Sequence, residues 1–255
     1  MKKLFAGLLT LCMVMAMLPV QLRAEEAQSQ YAPLASHDSE KHICEHCVAS
    51  GAADTTPTWT AWGDDEAEKA KLPTTAGHYY LTTDLEVKKV DITAGHVVLC
   101  LNGKTVTAVG TVNTADDRFY YPRNDGSLTL VDCTAHTETV EGKQVYKAGK
   151  LTGATAAAIM FHNATTTTGS VNIYDGIITG NSRAGSGGAF CVQGKGTLNI
   201  YGGQITDNHA TSGTGGAIYL NSSSNTLYVE NALIANNSAS SYSGAIHSNN
   251  AAVTI

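Results

Sequence analysis

The stretch VNIYDGIITGNSRAGSGGAFCV, from Val171 to Val192, is followed by two further versions of itself and by the beginning of another. The versions are LNIYGGQITDNHATSGTGGAIYL, from Leu198 to Leu220, and LYVENALIANNSASSYSGAIHS, from Leu227 to Ser248; VTI at 253–255 begins the last. Their starts at positions 171, 198, 227 and 253 give periods of 27, 29 and 26 residues. The variation in length falls in Ser, Gly, Asn and Thr runs, as expected for loops between conserved elements of a repeat protein.

Each copy contains short segments in which apolar and other residues alternate. Leu198 and Ile200 flank Asn199, and Ile218 and Leu220 flank Tyr219. Alternation with a period of two predicts a β-strand with one buried face. Three such segments per copy, separated by Gly and Asn corners, predict an all-β fold in which each copy is one coil of a right-handed parallel β-helix. Successive coils would stack about 4.8 Å apart.

Stacked coils place equivalent residues in columns inside the helix. The predicted inward columns are Val171, Leu198, Leu227 and Val253; Ile173, Ile200, Val229 and Ile255; Ile178, Ile205 and Ile234; and Phe190, Ile218 and Ile246. Beside them runs a column of Asn181, Asn208 and Asn237. We interpret this column as a structural ladder, because Asn tolerates left-handed backbone at a corner and stacked amides can hydrogen-bond to one another.

The first 24 residues predict a secretory signal peptide. Lys2 and Lys3 precede an apolar run from Leu4 to Leu18, and we place the cleavage after Ala24. Cys12 would suit a lipoprotein signal, but the preceding Leu11 is larger than such a signal prefers. The run is too short to span a membrane, and no later stretch is apolar enough. We therefore expect a secreted, extracellular or cell-surface protein with no membrane span after signal removal.

Residues 25–58 form a polar leader that contains His and Cys residues. The motif HICEHC presents His42, Cys44, His46 and Cys47 at metal-ligand spacing, but a single CxxC lacks the second ligand pair of a zinc ribbon. We therefore expect no cofactor here, and a local Cys44–Cys47 disulfide or an unstructured leader are the alternatives to a zinc site. The remaining Cys100, Cys133 and Cys191 show no spacing pattern, which favours buried or free thiols over bridges.

Residues 59–255 are predicted to be the β-helix. The segment DDEAEKAKL at 64–72 is acidic first and basic last, which predicts a short N-terminal capping helix over the first coil, with Trp59 and Trp62 packed into the cap. The sequence ends two inward residues into a new coil, where a solenoid would need a cap. We therefore expect the β-helix to be truncated at Ile255, with further coils or domains beyond it.

Two details of the front part of this region are also predicted. Leu99 and Leu101 are expected to point inward with an Asn-Gly corner at 102–103, and Leu128 and Leu130 are expected to occupy the same columns 29 residues later. The polar and charged stretch 134–150 is expected to leave the coil as an excursion. Loops on a solenoid commonly carry function.

The repeats resemble a known family of surface proteins. The phrases ITGNSRAGSGGAF, ITDNHATSGTGGAIY and IANNSASSYSGAIH resemble the GGAI and xxN repeats of the polymorphic outer-membrane protein family, a group of surface adhesin β-helices. The Phe that is usual in the xxN motif is replaced here by Ile178, Ile205 and Ile234. More broadly, 59–255 resembles the pectin-lyase-like right-handed β-helix superfamily, and its opening is similar to large β-helical surface proteins of Gram-positive bacteria. The resemblance implies the fold and an adhesin-like role.

Some members of that superfamily cleave pectin-like polysaccharides, which requires a carboxylate pair or a cation-binding carboxylate cluster with an Arg or Lys base. From 151 to 255 the acids are only Asp175, Asp207 and Glu230, and the bases are Arg183 and Lys195. Gly202 and Asn231 are the expected column partners of Asp175, so no carboxylate is expected to stack beside it. We therefore predict no catalytic residue in these coils.

The alternative to a scaffold is a polysaccharide lyase or glycoside hydrolase whose site is assembled from separate loops. Asp116, Asp117, Arg118 and Arg123 are the residues that such a site would draw on. The formal net charge of −6, with scattered basic residues, gives no nucleic-acid footprint.

Outward-facing aromatic and amide side chains give a positive signal for binding. With Leu198 and Ile200 inward, Tyr174 and Tyr201 are expected to stack outside the coil beside Asn172 and Asn199. Another outer column is expected to hold Cys191, Tyr219 and His247. Aromatic faces and amides on a rigid sheet suit a polysaccharide or a host or bacterial surface glycan. The alternative is that Tyr is present for its strand propensity and stacks only on its neighbour.

Overall fold

A computed structural model describes residues 58–110, 118–161 and 168–255. The predicted signal peptide 1–24 and nearly all of the polar leader, including the candidate metal ligands His42, Cys44, His46 and Cys47, lie outside the described residues. So do Asp116 and Asp117. The described residues form an all-β structure of short strands in long parallel sheets. No helix among them is long and apolar enough to cross a membrane.

Three long parallel sheets contain most of the strands. Sheet 1 is formed, in spatial order, by β1 (Trp59–Trp62), β2 (Gly77–Leu81), β5 (His96–Cys100), β8 (Ser127–Val131), β13 (Thr168–Ile173), β17 (Lys195–Ile200), β21 (Asn225–Val229) and β25 (Ala252–Thr254). Sheet 2 is formed by β3 (Leu85–Val87), β6 (Thr105–Ala108), β11 (Lys150–Thr152), β14 (Ile177–Thr179), β18 (Gln204–Thr206) and β22 (Leu233–Ala235). Sheet 3 is formed by β4 (Val90–Ile92), β7 (Tyr120–Pro122), β12 (Ile159–Met160), β16 (Phe190–Val192), β20 (Ile218–Leu220) and β24 (Ile246–Ser248).

Two small sheets complete the described structure. Sheet 4 is parallel and contains β15 (Ser182–Arg183), β19 (His209–Ala210) and β23 (Ser238–Ala239). The predicted excursion is an antiparallel hairpin of β9 (His136–Val140) and β10 (Lys143–Lys147), turned by Glu141 and Gly142 at positive φ. The hairpin pairs with no long sheet within the described residues.

From β2 onward, the chain passes through sheets 1, 2 and 3 in turn and then returns to sheet 1, and we call each such pass a coil. Each strand pairs in parallel with the equivalent strand of the next coil, as β13 does with β17 and β17 with β21. This arrangement of stacked coils is compatible with a β-helix.

The predicted inward columns match the observed registers. Val171, Leu198, Leu227 and Val253 lie side by side in sheet 1, as do Ile173, Ile200 and Val229. In sheets 2 and 3, Ile178–Ile205–Ile234 and Phe190–Ile218–Ile246 are in register. Most of these side chains belong to one buried core, where each contributes roughly 1.5–3 kcal/mol by leaving water. Ile255 lies beyond the last paired residue and is 82% exposed.

One predicted register was wrong by two residues. Leu99 pairs with Leu130, and Leu128 pairs with Val97, so this coil spans 31 residues (130 − 99) instead of the expected 29. A shift of two residues keeps every side chain on the same face of a strand. The inward pattern is therefore preserved, and the extra length is taken up outside sheet 1.

No capping helix is evident in the described part of the chain. Helix α1 (Glu66–Lys69) is a single turn that buries none of its residues; the Asp65 carboxylate accepts from the backbone N–H of Glu68 at 2.8 Å. Strand β1 itself forms the edge of sheet 1. Its two Trp residues lie on different faces: Trp62 packs edge-on against Tyr79 (5.5 Å) beside the core, and Trp59 packs edge-on against His78 (5.2 Å).

The Asn column at the corner after sheet 2 is fully engaged in hydrogen bonds. Asn208 is 0% exposed, and its Nδ2 donates to the carbonyl oxygens of Ile178 and Thr206 at 2.9 Å and to Asn237 Oδ1 at 3.0 Å. Asn181 repeats this pattern one coil earlier, with Asn208 Oδ1 at 3.0 Å. The left-handed residues are not these asparagines but the residues before them, Gly180, Asp207 and Asn236. The amides are needed to satisfy buried carbonyls rather than to adopt a rare backbone conformation.

Candidate functional site

The outward-facing residues of sheet 1 form two adjacent columns. In the first column, Tyr80 pairs with Cys100, and Cys100 pairs with Val131. The column continues with Tyr174 and Tyr201, which directly follow the paired residues Ile173 and Ile200. The second runs through Trp59, His78, Val98, Thr129, Asn172, Asn199, Tyr228 and Thr254. Val98 and Thr129 are buried, whereas the later residues Asn172, Asn199 and Tyr228 are partly exposed. The accessible part of this face therefore lies on β13, β17 and β21.

Three tyrosines line this accessible part, and we call Tyr174, Tyr201 and Tyr228 the Tyr row. The rings of Tyr174 and Tyr201 stack with centroids 4.8 Å apart and an interplanar angle of 24°. Tyr228 continues the row at 5.6 Å from Tyr201, tilted by 49°. Tyr228 was not predicted from the sequence, because it pairs with Asn199, in the neighbouring column, rather than with Tyr201.

A chain of polar side chains runs beside the Tyr row. Asn199 Nδ2 donates to Asn172 Oδ1 at 2.9 Å, and Asn172 Nδ2 donates to Thr129 Oγ1 at 3.4 Å. His96 Nε2 lies 2.8 Å from the same Thr129 hydroxyl. A carboxamide has two N–H donors and a carbonyl acceptor, so these bonds occupy only part of the capacity of Asn172 and Asn199. The structure thus brings together four of the five predicted ligand-binding residues.

Two hydroxyls of the Tyr row, those of Tyr174 and Tyr228, are protonated at neutral pH. Burial and the neighbouring Tyr201 raise the pKa of the Tyr174 hydroxyl, and the hydrogen bond to Glu230 (2.8 Å) raises the pKa of Tyr228. Both of these hydroxyls can therefore donate as well as accept. A face of neutral hydroxyls, rings and amides suits a polyhydroxylated ligand better than a strongly charged one.

Tyr219, the fifth predicted residue, lies on a different sheet. It belongs to β20 of sheet 3, where it pairs with Cys191 on one side and His247 on the other. Its ring stacks on His247 with centroids 5.7 Å apart, and its hydroxyl donates to Asn221 at 2.7 Å. Cys191 is buried, and the Arg183 guanidinium donates to its Sγ at 2.6 Å. Tyr219 is therefore not part of the Tyr row.

A second carboxylate does lie beside Asp175, contrary to the prediction. Leu130 pairs with Ile173, and Asp132 and Asp175 each follow two residues later, at the same corner of successive coils. Both carboxylates are buried. Burial chiefly, with repulsion from Asp132, raises the pKa of Asp175 to about 7, while the Tyr146 hydroxyl, which donates to it at 3.2 Å, acts in the opposite direction. The prediction failed because it considered only the acids after 151.

The Asp132 carboxylate connects the hairpin to the coil. It accepts from the backbone N–H of Gly103 (3.2 Å) and Thr134 (2.8 Å), from the Thr134 hydroxyl (2.7 Å), and from the backbone N–H of Gly149. Thr134 and Gly149 flank the hairpin, and Lys150, the last residue of the predicted excursion, belongs to β11 of sheet 2. A Cβ on Gly149 would lie 2.6 Å from Leu101 Cβ and 2.8 Å from Asp132 Oδ2, so only glycine fits there. Asp132 is thus placed to hold the base of the hairpin.

Beside the hairpin lies a cleft of about 530 Å³. Its lining includes His136, Glu138 and Tyr146. Tyr146 also contacts Asp175, because its hydroxyl donates to that carboxylate and accepts from the backbone N–H of Gly176 at 3.3 Å. Through Tyr146, the buried acids therefore adjoin a cleft of ligand size.

Of the loop residues proposed for an enzyme, the structure describes Arg118 and Arg123. Both guanidinium groups lie over the Tyr121 ring, with Cζ 4.2 Å and 4.7 Å from its centroid. Arg123 also pairs with Asp91 at 2.9 Å, and Arg118 is buried with a contact to Met160. These arginines pack against the outer side of sheet 3, whereas the carboxylates of Asp132 and Asp175 follow strands of sheet 1.

Neither a metal cluster nor a related protein adds to this description. Within 58–110, 118–161 and 168–255, no three His, Cys, Asp or Glu side chains are grouped so that they could hold a metal ion. Comparison of the chain with protein-family models, with curated proteins and with solved structures gave no match. The resemblance to the adhesin repeats therefore rests on the sequence motifs alone.

Proposed function

We propose that the chain is a right-handed parallel β-helix that acts as a secreted or cell-surface, adhesin-like scaffold and binds glycans through the Tyr row. Parallel strands joined by crossover connections are right-handed in nearly all proteins, which supports the handedness. The GGAI and xxN motifs support membership of the pectin-lyase-like superfamily and a likeness to the polymorphic outer-membrane proteins. The apolar run before Ala24 supports secretion.

The observation that carries the proposal is the row of Tyr174, Tyr201 and Tyr228 with Asn172 and Asn199 beside it. Its members come from three successive coils, so the row runs along the direction in which coils stack. An extended chain of sugars could follow this direction, with ring edges and hydroxyls of the tyrosines on one side and amides on the other. Because the strands fix these side chains, little conformational entropy is lost on binding.

The chemistry of the row favours a neutral polysaccharide or surface glycan. The hydroxyls of Tyr174 and Tyr228 are uncharged, and Glu230, which accepts from Tyr228, would repel a polyanion. No metal or other cofactor is required for stacking and hydrogen bonding of this kind. Tyr174 and Tyr201 also stack on each other, so the same rings stabilise the sheet, and an experiment must separate the two roles.

The test is affinity electrophoresis of the mature chain in gels that contain plant, mucin or bacterial polysaccharides. We expect retardation by at least one neutral polysaccharide, and we expect Tyr201→Ala to lose it. Tyr242→Ala is the matched control, because Tyr242 is 73% exposed and lies outside the row. Circular dichroism establishes that both variants are folded. Equal retardation of Tyr201→Ala and wild type, or no retardation in any gel, would contradict the proposal.

The second candidate is a glycoside hydrolase or polysaccharide lyase, and the acids at the hairpin favour it. A carboxyl with a pKa raised to about 7 is suited to a general acid at neutral pH, and a second carboxylate lies one coil away. In this case the same polysaccharides would show new reducing ends or unsaturated products, abolished in Asp175→Asn and unaffected in Tyr201→Ala. Retardation without cleavage supports the scaffold instead.

A further inference from the structure

Two cysteines from successive coils meet beside Tyr174, at one end of the Tyr row. Cys100 ends β5, and Cys133 lies two residues after Val131, the residue that pairs with Cys100. Their Sγ atoms are 3.1 Å apart, and the backbone N–H of Cys133 donates to Cys100 Sγ at 3.3 Å. Both residues are thiols in this structure. A disulfide needs an S–S distance of about 2.05 Å, so closure requires the two sulfur atoms to approach each other by about 1 Å.

The surroundings of the pair are apolar. Cys100 and Cys133 are buried and form, with Val131, a small cluster on the outer side of sheet 1. Trp59, Tyr80 and Tyr174 pack against this cluster. The spacing of 33 residues between the cysteines gave no sign of pairing in the sequence, because it is set by the register of β5 and β8.

We propose that Cys100 and Cys133 form a disulfide that links the coils of β5 and β8 in the exported protein. The proposal depends on the predicted signal peptide, since disulfides persist in oxidising compartments outside the cytosol. It is independent of what the Tyr row binds. Cys191 has no part in it, because this thiol lies on sheet 3 under Arg183.

The bond requires an oxidant, which is a disulfide carried by a protein or small-molecule thiol-exchange partner. A thiolate of one cysteine attacks the donor disulfide and forms a mixed disulfide, and the second cysteine displaces the donor thiol. Overall, the two cysteines lose two electrons and two protons, and the donor disulfide becomes two thiols. The reaction therefore balances without a metal or cofactor.

Oxidation belongs to the folding stage. In the folded chain, the hydrogen bond with Cys100 and burial raise the pKa of the Cys133 thiol, so little reactive thiolate is present. While the coil of β8 is still being added, both thiols are accessible. Once formed, the bond is protected by Trp59, Tyr80 and Tyr174, so it resists reductants until the protein unfolds.

The test is a peptide map of the full chain exported with its own signal peptide into an oxidising compartment. The protein is denatured, alkylated without reduction and digested with trypsin. Cleavage after Lys89, Lys104, Arg123 and Lys143 places Cys100 in peptide 90–104 and Cys133 in peptide 124–143. We expect these two peptides to appear joined, to separate on reduction, and to be lighter together by two hydrogen atoms than the separate thiols. Peptide 184–195, with Cys191, should be alkylated.

Recovery of 90–104 and 124–143 as separate alkylated peptides would overturn the proposal, as would a link from either to Cys44, Cys47 or Cys191. A second measurement does not rely on digestion. Reduction during unfolding should lower the Tm of the wild type by about 5–10 °C and leave a Cys100→Ala, Cys133→Ala double variant unchanged. An equal response of the two proteins to reductant would also contradict a disulfide.

Discussion

In the coils at 168–255 and in those at 58–161, inward residues of sheet 1 pair with inward residues of the next coil. The two regions differ in the contacts that stabilise their corners. In the later region, equivalent residues recur after 27 and 29 residues, as Ile173, Ile200 and Val229 do. In the earlier region the steps are 20 (99 − 79), 31 (130 − 99) and 43 (173 − 130) residues. The register of a parallel sheet is therefore set by the inward pattern of each strand, and loop length is free to vary.

The polar groups at the corners follow this division. The later coils repeat one solution, the Asn ladder of Asn181, Asn208 and Asn237. The earlier coils use single, unrepeated contacts: Asn102 Nδ2 donates to the Leu81 carbonyl at 2.9 Å, Asp84 accepts from the Thr105 N–H at 2.8 Å, and Asp132 holds the hairpin. When one contact of a repeated series is lost, the equivalent contacts in neighbouring coils remain, whereas the loss of a single contact is not compensated. Mutations should therefore act differently in the two regions.

The largest effect is expected for Asp132→Ala in the earlier region. The change leaves the N–H groups of Gly103, Thr134 and the buried Gly149 without their acceptor, and we expect a loss of about 4 kcal/mol in the free energy of unfolding. Urea denaturation measures it, and Glu86→Ala, an exposed carboxylate on β3, is the control. A loss for Asp132→Ala no larger than that of the control would contradict the role assigned to Asp132.

A smaller loss is expected for Asn208→Ala in the later region, about 3 kcal/mol. The change removes bonds to the Ile178 and Thr206 carbonyls and the link to Asn237, but Asn181 and Asn237 keep their own backbone partners. Asn249→Ala, at an exposed position, should be within experimental error of wild type. Hydrogen exchange should show opening confined to the neighbouring coils. Loss of protection in the earlier region as well would mean that the two regions are not independent.

The smallest of these effects is a pH dependence of the free energy of unfolding. It arises from Asp175, which lies where the two regions meet. The pKa of Asp175 is raised to about 7, so the folded chain holds a proton that the unfolded chain releases near pH 4. Folding is then favoured least at high pH, and this contribution to stability falls as pH rises from about 4 to about 7. This carboxyl interacts electrostatically with four other titratable groups: Tyr146, Asp132, Cys100 and Cys133.

The variant Asp175→Asn should remove that decline. The pKa shift corresponds to about 4 kcal/mol at pH 8, and we expect about half of this as a net gain over wild type, because the buried amide of the variant carries a desolvation cost of its own. Its amide oxygen can still accept from the Tyr146 hydroxyl, so the contact to the hairpin is kept. The measurement is the urea midpoint of both proteins between pH 4 and 8. Parallel pH profiles for the variant and the wild type would show that Asp175 is not the group responsible.

Sequence alone predicted the repeated region well and the irregular region poorly. Alternation at Leu198 and Ile200 recurs with a fixed period, and this is enough to define strands, faces and columns. The 31-residue coil, the pairing of Cys100 with the Cys133 segment, and the Asp132–Asp175 column depend on coil lengths that no period reveals. The predicted capping helix failed because its charge pattern is satisfied by one turn and its apolar residues are too few to cover a coil.

The candidate site was predicted in part for the same reason. Tyr174 and Tyr201 share a position in the repeat and were found together, whereas Tyr228 replaces an Asn in the adjacent column and was missed. Tyr219 occupies an outward position as well, but a sequence pattern does not say that it faces away from sheet 1. Which outward positions are accessible depends on the packing of Trp59 and Tyr80, and only the structure shows this packing.

The most direct test of the central claim is NMR of the chain with labelled tyrosine rings, titrated with an oligosaccharide of whichever neutral polysaccharide retards it in the gel. The account predicts that the ring signals of Tyr174, Tyr201 and Tyr228 shift together with one dissociation constant, and that Tyr242 does not move. Shifts confined to Tyr146 at the hairpin cleft, or to Tyr219 on sheet 3, would place the ligand elsewhere and contradict a binding face on the Tyr row.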